Sequence, residues 1–343
     1  MRKLAIMLLA VSNVLTEVAL AQNFVSNVSK RGTSAAAFLS IGQGARATGM
    51  GSAFVAVADD PSAIYWNPAG LAGLKGIQIM FDHTEWIAGL KYNFLGLTVN
   101  TGGYGTIGVS LTASNIPEMK VTTIEQPNGT GLTFGVFDGA ISIAYALNLT
   151  DDFSIGFNPK VVYQSIWEMS ASAIAIDLGV KYKTPFRGFV LGMSISNFGS
   201  KMKMTGNSAL VLYDPDPASS GNNGRIPAEL STGDWALPLN FRVGLAYHLL
   251  SSYEHKLTVS ANAAHPSDDY ESVDIGGEYT FKNFLSFRAG YKSLFLRNSE
   301  QSLSFGIGLA HYIVGNVEIH ADYAYQDFGR LKNIQKISLG ISF

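Results

Sequence analysis

A period of two governs this chain. From about Ile77 to Phe343, apolar and polar residues alternate in segments of roughly ten. Ile174, Ile176, Leu178, Val180 and Tyr182 share one face of one segment. Phe241, Val243, Leu245, Tyr247 and Leu249 share a face of another, and Val317, Ile319, Ala321, Tyr323 and Tyr325 of a third. The intervening positions are mostly Ser, Thr, Asn, Gly, Lys, Asp and Arg. Successive side chains of a strand point to opposite sides, so the pattern predicts strands with one apolar and one polar face.

About fourteen such segments follow one another, near 77–83, 90–99, 104–114, 138–148, 153–166, 172–183, 188–197, 237–249, 255–265, 270–280, 284–293, 301–312, 316–326 and 334–343. No helical stretch between them is long enough to cover a sheet. An open sheet of this size would expose an apolar face and two unpaired edges. Closure into a barrel removes the edges, and lipid outside accepts the apolar face. Crossings of about 9–11 residues and an even strand count fit a bacterial outer-membrane barrel. The connections agree. Asn148–Phe153, Lys183–Gly188, Leu250–His255, Phe281–Phe284 and Ile313–Asn316 are short, whereas Asn115–Phe137 and Phe198–Ala236 are long. Short turns facing the periplasm and long loops facing outward are the bacterial arrangement. Phe153, Tyr182, Phe186, Tyr247, Tyr253, Tyr279, Phe281, Phe284 and Tyr312 lie by the short turns, as an interfacial aromatic girdle would. A soluble β-sandwich is the competing fold, and the chain length and number of similar strands argue against it.

Composition fits a lipid-facing surface: 47% hydrophobic and 15% charged, against about 25% charged in ordinary globular chains. The net charge of −2 offers no basic surface for nucleic acid, and the absence of Cys excludes disulfides and thiolate metal sites. Arg2 and Lys3 precede the apolar run Leu4 to Val11, and Ala19-Leu20-Ala21 supplies small residues for cleavage. Residues 1–21 therefore read as a secretory signal peptide, with 22–75 as a separate N-terminal segment and 76–343 as the barrel.

That N-terminal segment breaks the pattern. Gly42 to Gly73 is rich in small residues and contains Asp60-Pro61 and Asn67-Pro68. An Asx side chain caps a first helical turn, and Pro suits the first helical position. Short helical turns are expected over Pro61–Trp66 and Pro68–Ala72, with Gly73 ending the second and Gly42, Gly44, Gly49 and Gly51 bending the chain tightly. The segment is too small to hold a core of its own and reads as a plug inside the barrel.

Chemical motifs are absent. Gly42-x-Gly44-x-x-Ala47 with Asp59 downstream copies a dinucleotide fingerprint, but no room follows for a crossover helix. The six histidines form no HExxH and no Gly-x-Ser-x-Gly elbow occurs. No catalytic residue, cofactor or metal is expected. Lys160, Asp177, Lys181, Arg242, Asp274, Glu278, Arg288, Lys292, Glu318 and Asp322 fall on the polar face, where cross-strand ion pairs filling the lumen are the expected use. Lys201–Met204 and Ala209–Leu212 read equally as an apolar entrance or as strand extensions beyond the membrane.

The run Gly44-Ala45-Arg46-Ala47-Thr48-Gly49-Met50-Gly51-Ser52-Ala53-Phe54-Val55-Ala56-Val57-Ala58-Asp59-Asp60, followed by Tyr65-Trp66-Asn67-Pro68-Ala69-Gly70-Leu71-Ala72, resembles the N-terminal region of the PorV/PorQ family. That family is a branch of the FadL-like outer-membrane transporters. Asn67-Pro68-Ala69 also resembles the hatch of the fatty-acid transporters, and the end at Ile337, Leu339, Ile341 and Phe343 resembles other barrels of the outer membrane. The resemblance, which also guided the segment count, implies a fourteen-stranded barrel with its N-terminal hatch inside. The candidate site is then the hatch motif: Gly44, Arg46, Gly49, Gly51, Asp59, Asp60, Trp66, Asn67, Pro68, Ala69 and Gly70. Two functions follow from the resemblance. The favoured one is an accessory of type IX-like secretion or surface assembly, with a secreted cargo protein or a translocon subunit as partner. The alternative is passive transport of a hydrophobic compound, a fatty acid or similar, across the outer membrane.

Overall fold

The computed structural model describes residues 30–343 apart from 187, 219, 222, 297–298 and 314–316. The expected signal peptide lies outside the described residues. Fourteen strands form the barrel: β1 (Ile77–Glu85), β2 (Lys91–Asn100), β3 (Thr106–Asn115), β4 (Val136–Asn148), β5 (Phe153–Ile166), β6 (Met169–Lys183), β7 (Phe189–Gly199), β8 (Asn240–Ser251), β9 (His255–Pro266), β10 (Ser272–Phe281), β11 (Leu285–Leu294), β12 (Leu303–Tyr312), β13 (Glu318–Asp327) and β14 (Asn333–Ser342). Each pairs antiparallel with its neighbours in sequence. The ring closes between first and last strands, from Gln78↔Ser342 to Glu85↔Gln335. No strand edge is left for lipid to meet, which is what a membrane-spanning sheet requires.

The alternation sorts as the sequence predicts. Phe81, Leu95, Val109, Ile143, Ile174, Phe305, Ile307 and Leu339 are exposed on the outer wall. Asp82, Thr98, Ser110, Asn158, Asp177, Asn262, Glu278 and Lys336 are buried inside. At the short-turn end, aromatic pairs bridge adjacent strands: Phe153 with Tyr182, Phe189 with Tyr247, His255 with Tyr279, and Phe284 with His311.

Beyond the other end, Met202–Lys203 pairs with Asp234–Trp235 and Leu210–Tyr213 with Ile226–Glu229. Both segments are thus short extensions above the barrel. Met202 is nevertheless buried, packed with Phe38, Tyr92 and Val162.

Before β1 the chain makes a 3-10 turn (Ala37–Ser40), α1 (Ala45–Gly49), α2 (Ala63–Trp66) and a second 3-10 turn (Pro68–Gly73). These lie inside the barrel and are termed the hatch below. The expected helix over Pro61–Trp66 starts later, because the Asp60 and Pro61 carbonyls accept the Ala63 and Ile64 N–H groups in a turn. Asn67 caps its turn as expected, its side chain accepting the Ala69 N–H at 3.2 Å. Helix α1 and the Ala37–Ser40 turn were not legible, since neither has an Asx or Ser cap.

The barrel wall loses its side chains where the hatch backbone passes. A Cβ at Gly192 of β7 would stand 2.6 Å from the Val55 carbonyl oxygen. Gly156 of β5 meets Pro68, Gly179 of β6 meets Asn67, Gly276 of β10 meets Met50, and Gly290 of β11 meets Gly51. The hatch answers in kind: a Cβ at Gly49 would stand 3.0 Å from the Gly306 Cα, and one at Gly51 would stand 2.7 Å from the Tyr291 nitrogen. Backbone packs on backbone, and most of these sites leave no room for even a methyl group.

Overpacking costs about 1–3 kcal/mol, so Gly192→Val is expected to lower the temperature at which the folded electrophoretic form is lost. Gly277→Val is the control. Gly277 shares the outward face with Ile275 and Tyr279, and its Cβ would meet nothing closer than 3.5 Å. An unchanged transition for Gly192→Val would contradict the tight fit.

Candidate functional site

The hatch separates two chambers in the lumen. The chamber toward the long loops, about 450 Å³, is floored by Tyr65, Trp66 and Arg242, with Lys292 and Asp274 on its wall and Trp86 and Phe328 higher up. The chamber toward the short turns, about 600 Å³, is strongly polar and includes Arg46, Asp59, Asp60, Glu278, Arg288 and Asp322.

The hatch is held by wall side chains that satisfy its backbone. A chain this short has few hydrogen bonds of its own, and buried carbonyls need partners. Asn67 Nδ2 donates to the carbonyls of Val55 and of Val180 on β6, both at 3.0 Å. Asn262 donates to the Ser52 carbonyl at 2.7 Å and Asn158 to the Ile64 carbonyl at 3.2 Å. Lys181 donates to the Val57 and Ala58 carbonyls. Lys336 donates to the Gly42 carbonyl. Asp82 and Ser338 then accept the Gly44 and Ala45 N–H groups at 3.1 and 2.7 Å.

Charge supplies the second hold. Arg46 is bidentate to Glu278 on β10, with both bonds at 2.8 Å. It also contacts Asp59 at 2.5 Å and Asp60 at 3.3 Å. Glu278 is in turn bound by Arg288, which reaches Asp322 at 2.5 Å. Burial pushes the Asp60 carboxyl up, with Arg46 pulling the other way. The expected ion pairs are present only in part, as Lys160 with Asp177 and Arg288 with Glu278 and Asp322, while Arg242, Asp274, Lys292 and Glu318 form none among the described residues. Lys181 departs from the expectation, because it serves hatch carbonyls instead.

The motif residues converge on this hold. Gly44 adopts φ +89° where its N–H meets Asp82. Trp66 donates its Nε1–H to the Gln43 carbonyl at 2.7 Å. Pro68 and Ala69 pass Gly156, and Gly70 packs on the Ala58 carbonyl. Arg46, Asp59 and Asp60 face the short-turn chamber, whereas Trp66 faces the long-loop chamber. Sequence reasoning missed Asp82, Lys336, Ser338 and the wall glycines. Each sits at an inward position of a strand, but only the enclosed hatch shows what it meets.

Residues 12–343 match the Uncharacterised protein family UPF0164. The chain belongs to that family. Among curated proteins, none matches the sequence at a significant level. Three solved structures share the fold. The "CymD monoaromatic hydrocarbon channel" is 15% identical, with 88% of this chain and 98% of that chain covered and a TM-score of 0.53. The Ralstonia pickettii toluene transporter TbuX is 12% identical, covered 88% and 97%, at 0.51. The Pseudomonas putida toluene transporter TodX is 15% identical, covered 88% and 97%, at 0.53. The chain thus shares the barrel fold of these hydrocarbon channels, and membership of the PorV/PorQ branch is not shown.

Net hydrogen bonds contribute about 1 kcal/mol each, more where a buried partner is orphaned. Asn67→Ala removes three, and is expected to give flickering current in planar bilayers where the parent is quiet. A quiet variant would show that these bonds do not hold the hatch.

Proposed function

We propose that this protein is a non-enzymatic passive transporter that carries a hydrophobic small molecule across the outer membrane. The observation that carries the reading is the aromatic-floored chamber above a hatch that closes the barrel. Concave, partly apolar chambers of a few hundred Å³ with a few placed polar groups suit small ligands. The hydrocarbon channels that share the fold support the same reading. In it, residues 1–21 are an export signal, 22–75 the hatch and 76–343 the barrel. The ligand enters from the long-loop side and rests on Tyr65 and Trp66. The hatch motif acts as the barrier whose displacement lets the ligand pass.

The secretion-accessory reading draws on one observation. The hairpin Leu210–Tyr213 with Ile226–Glu229 exposes Leu210, Leu212 and Tyr213 beyond the barrel. Such a patch suits a protein partner such as a secreted cargo or translocon subunit. It serves equally as a landing surface for an apolar compound, and the channel fold favours the transporter.

Proteoliposomes holding the mature chain are expected to take up radiolabelled toluene or a short fatty acid faster than empty vesicles. Removing residues 42–73 should add leakage of small hydrophilic dyes. Uptake no faster than in empty vesicles for every apolar solute would contradict the transporter. Co-purification of a stoichiometric secreted protein would favour the accessory.

A further inference from the structure

Two cations in the long-loop chamber lack the carboxylate or carbonyl partners that Lys160, Arg288, Arg46, Lys336 and Lys181 have in this lumen. Lys160 holds Asp177, Arg288 holds Glu278 and Asp322, Arg46 holds three carboxylates, and Lys336 lies 3.9 Å from Asp82. Such pairing is the rule for buried charge. Lys292 on β11 breaks it. Among the described residues its ammonium group makes no hydrogen bond and no ion pair. Arg242 on β8 is buried and touches only hydroxyls, Ser196 at 3.3 Å and Tyr65 at 3.5 Å. Its guanidinium otherwise lies over the rings of Tyr65 and Trp66, at 5.5 and 5.4 Å.

Asp274 lines the same chamber as both cations and makes no ion pair with either among the described residues. Its Oδ1 already accepts the Ser293 N–H at 2.8 Å. The floor therefore carries two positive charges against one negative. The rim carboxylates do not reach these cations: each bonds elsewhere, and Asp268, although it keeps its charge, forms no ion pair with Arg242 or Lys292 among the described residues. Asp269 pairs with Arg31 at 2.7 Å, Asp268 accepts the Ser34 hydroxyl, and Arg330 hydrogen-bonds to Glu300 and holds that carboxyl below its usual range.

We propose that the ligand of this chamber is an aromatic carboxylate. The inference rests on the transporter reading and narrows its substrate class. The carboxylate supplies the contacting anion that Arg242 and Lys292 both lack. A guanidinium or ammonium binds such a head by charge-assisted hydrogen bonds. The ring has Tyr65 and Trp66 below it, with Trp86 set edge-on to Phe328 at 5.2 Å nearer the rim. A planar ring gains from edge and face contacts with such side chains. A long alkyl chain would meet Asn240, Ser272 and Asp268 on the chamber walls.

The test is a titration of the full mature chain in detergent with benzoate, toluene and dodecanoate, followed by tryptophan fluorescence. Trp66 and Trp86 line the chamber and report occupancy. A charge-assisted hydrogen bond corresponds to a roughly 10–100-fold gain in affinity. Benzoate is expected to bind at least about tenfold more tightly than toluene or dodecanoate. In Lys292→Met the preference for benzoate over toluene should fall away while toluene binding holds. Lys292→Gln repeats the test with a polar side chain, and retention of the folded electrophoretic form guards against a misfolded variant. Equal affinity for benzoate and toluene would overturn the proposal and leave a neutral-hydrocarbon transporter standing. So would a benzoate preference that survives both variants. Dodecanoate binding as tightly as benzoate would overturn the aromatic part. Failure of all three probes would overturn the transporter reading as well.

Discussion

Lipid offers no hydrogen-bond partner, and that deficit organises the whole molecule. A strand facing acyl chains must bond on both edges within the protein, so the sheet can only close. Closure turns the polar faces of fourteen strands onto a common lumen. There, groups such as Asp177, Glu278, Arg288 and Lys336 are withdrawn from bulk water and must find partners. They find them in one another and in the hatch. The hatch has the reciprocal problem, since a short non-sheet segment leaves its own carbonyls open. Asn262, Lys181 and Lys336 close those carbonyls from the wall.

The fit has a geometric side as well as a polar one. Backbone can approach backbone only where neither carries a side chain, and the facing glycines Gly49 with Gly306 and Gly51 with Gly290 permit that approach. The result is a hatch that packs backbone on backbone at these points and apolar side chains elsewhere. Its apolar part is an extensive buried cluster that includes Met50, Phe54, Val55, Ile64, Trp66 and Leu71. A barrier built this way can be firm at rest and still be released by exchanging a limited set of side-chain-to-backbone bonds.

Much of the fold was legible because the period of two is strict in strands such as Asn333–Ser342, where neighbours outside the chain are lipid and those inside are water or polar groups. The short turns were legible for the same reason. The hatch was legible in its Asn67 cap, since an Asx-Pro step acts locally. It was not legible in α1, which has no capping side chain and owes its position to Arg46 and to Gly306 across the lumen. The wall glycines read as ordinary strand residues because their meaning lies in what stands opposite. Arg242 and Lys292 read as members of an ion-pair network, and only the structure separates them from the cations that are paired.

The central claim is that wall side chains hold the hatch as firmly as the strands hold one another. Hydrogen exchange of the intact protein in nanodiscs tests it most directly, because amide protection reports the free energy of local opening. Peptides covering Gly42–Gly73 are predicted to exchange as slowly as those of β5, β6 and β10, and far more slowly than the exposed segment around Asp214–Asp216. Exchange of the hatch at the rate of that loop would contradict the account.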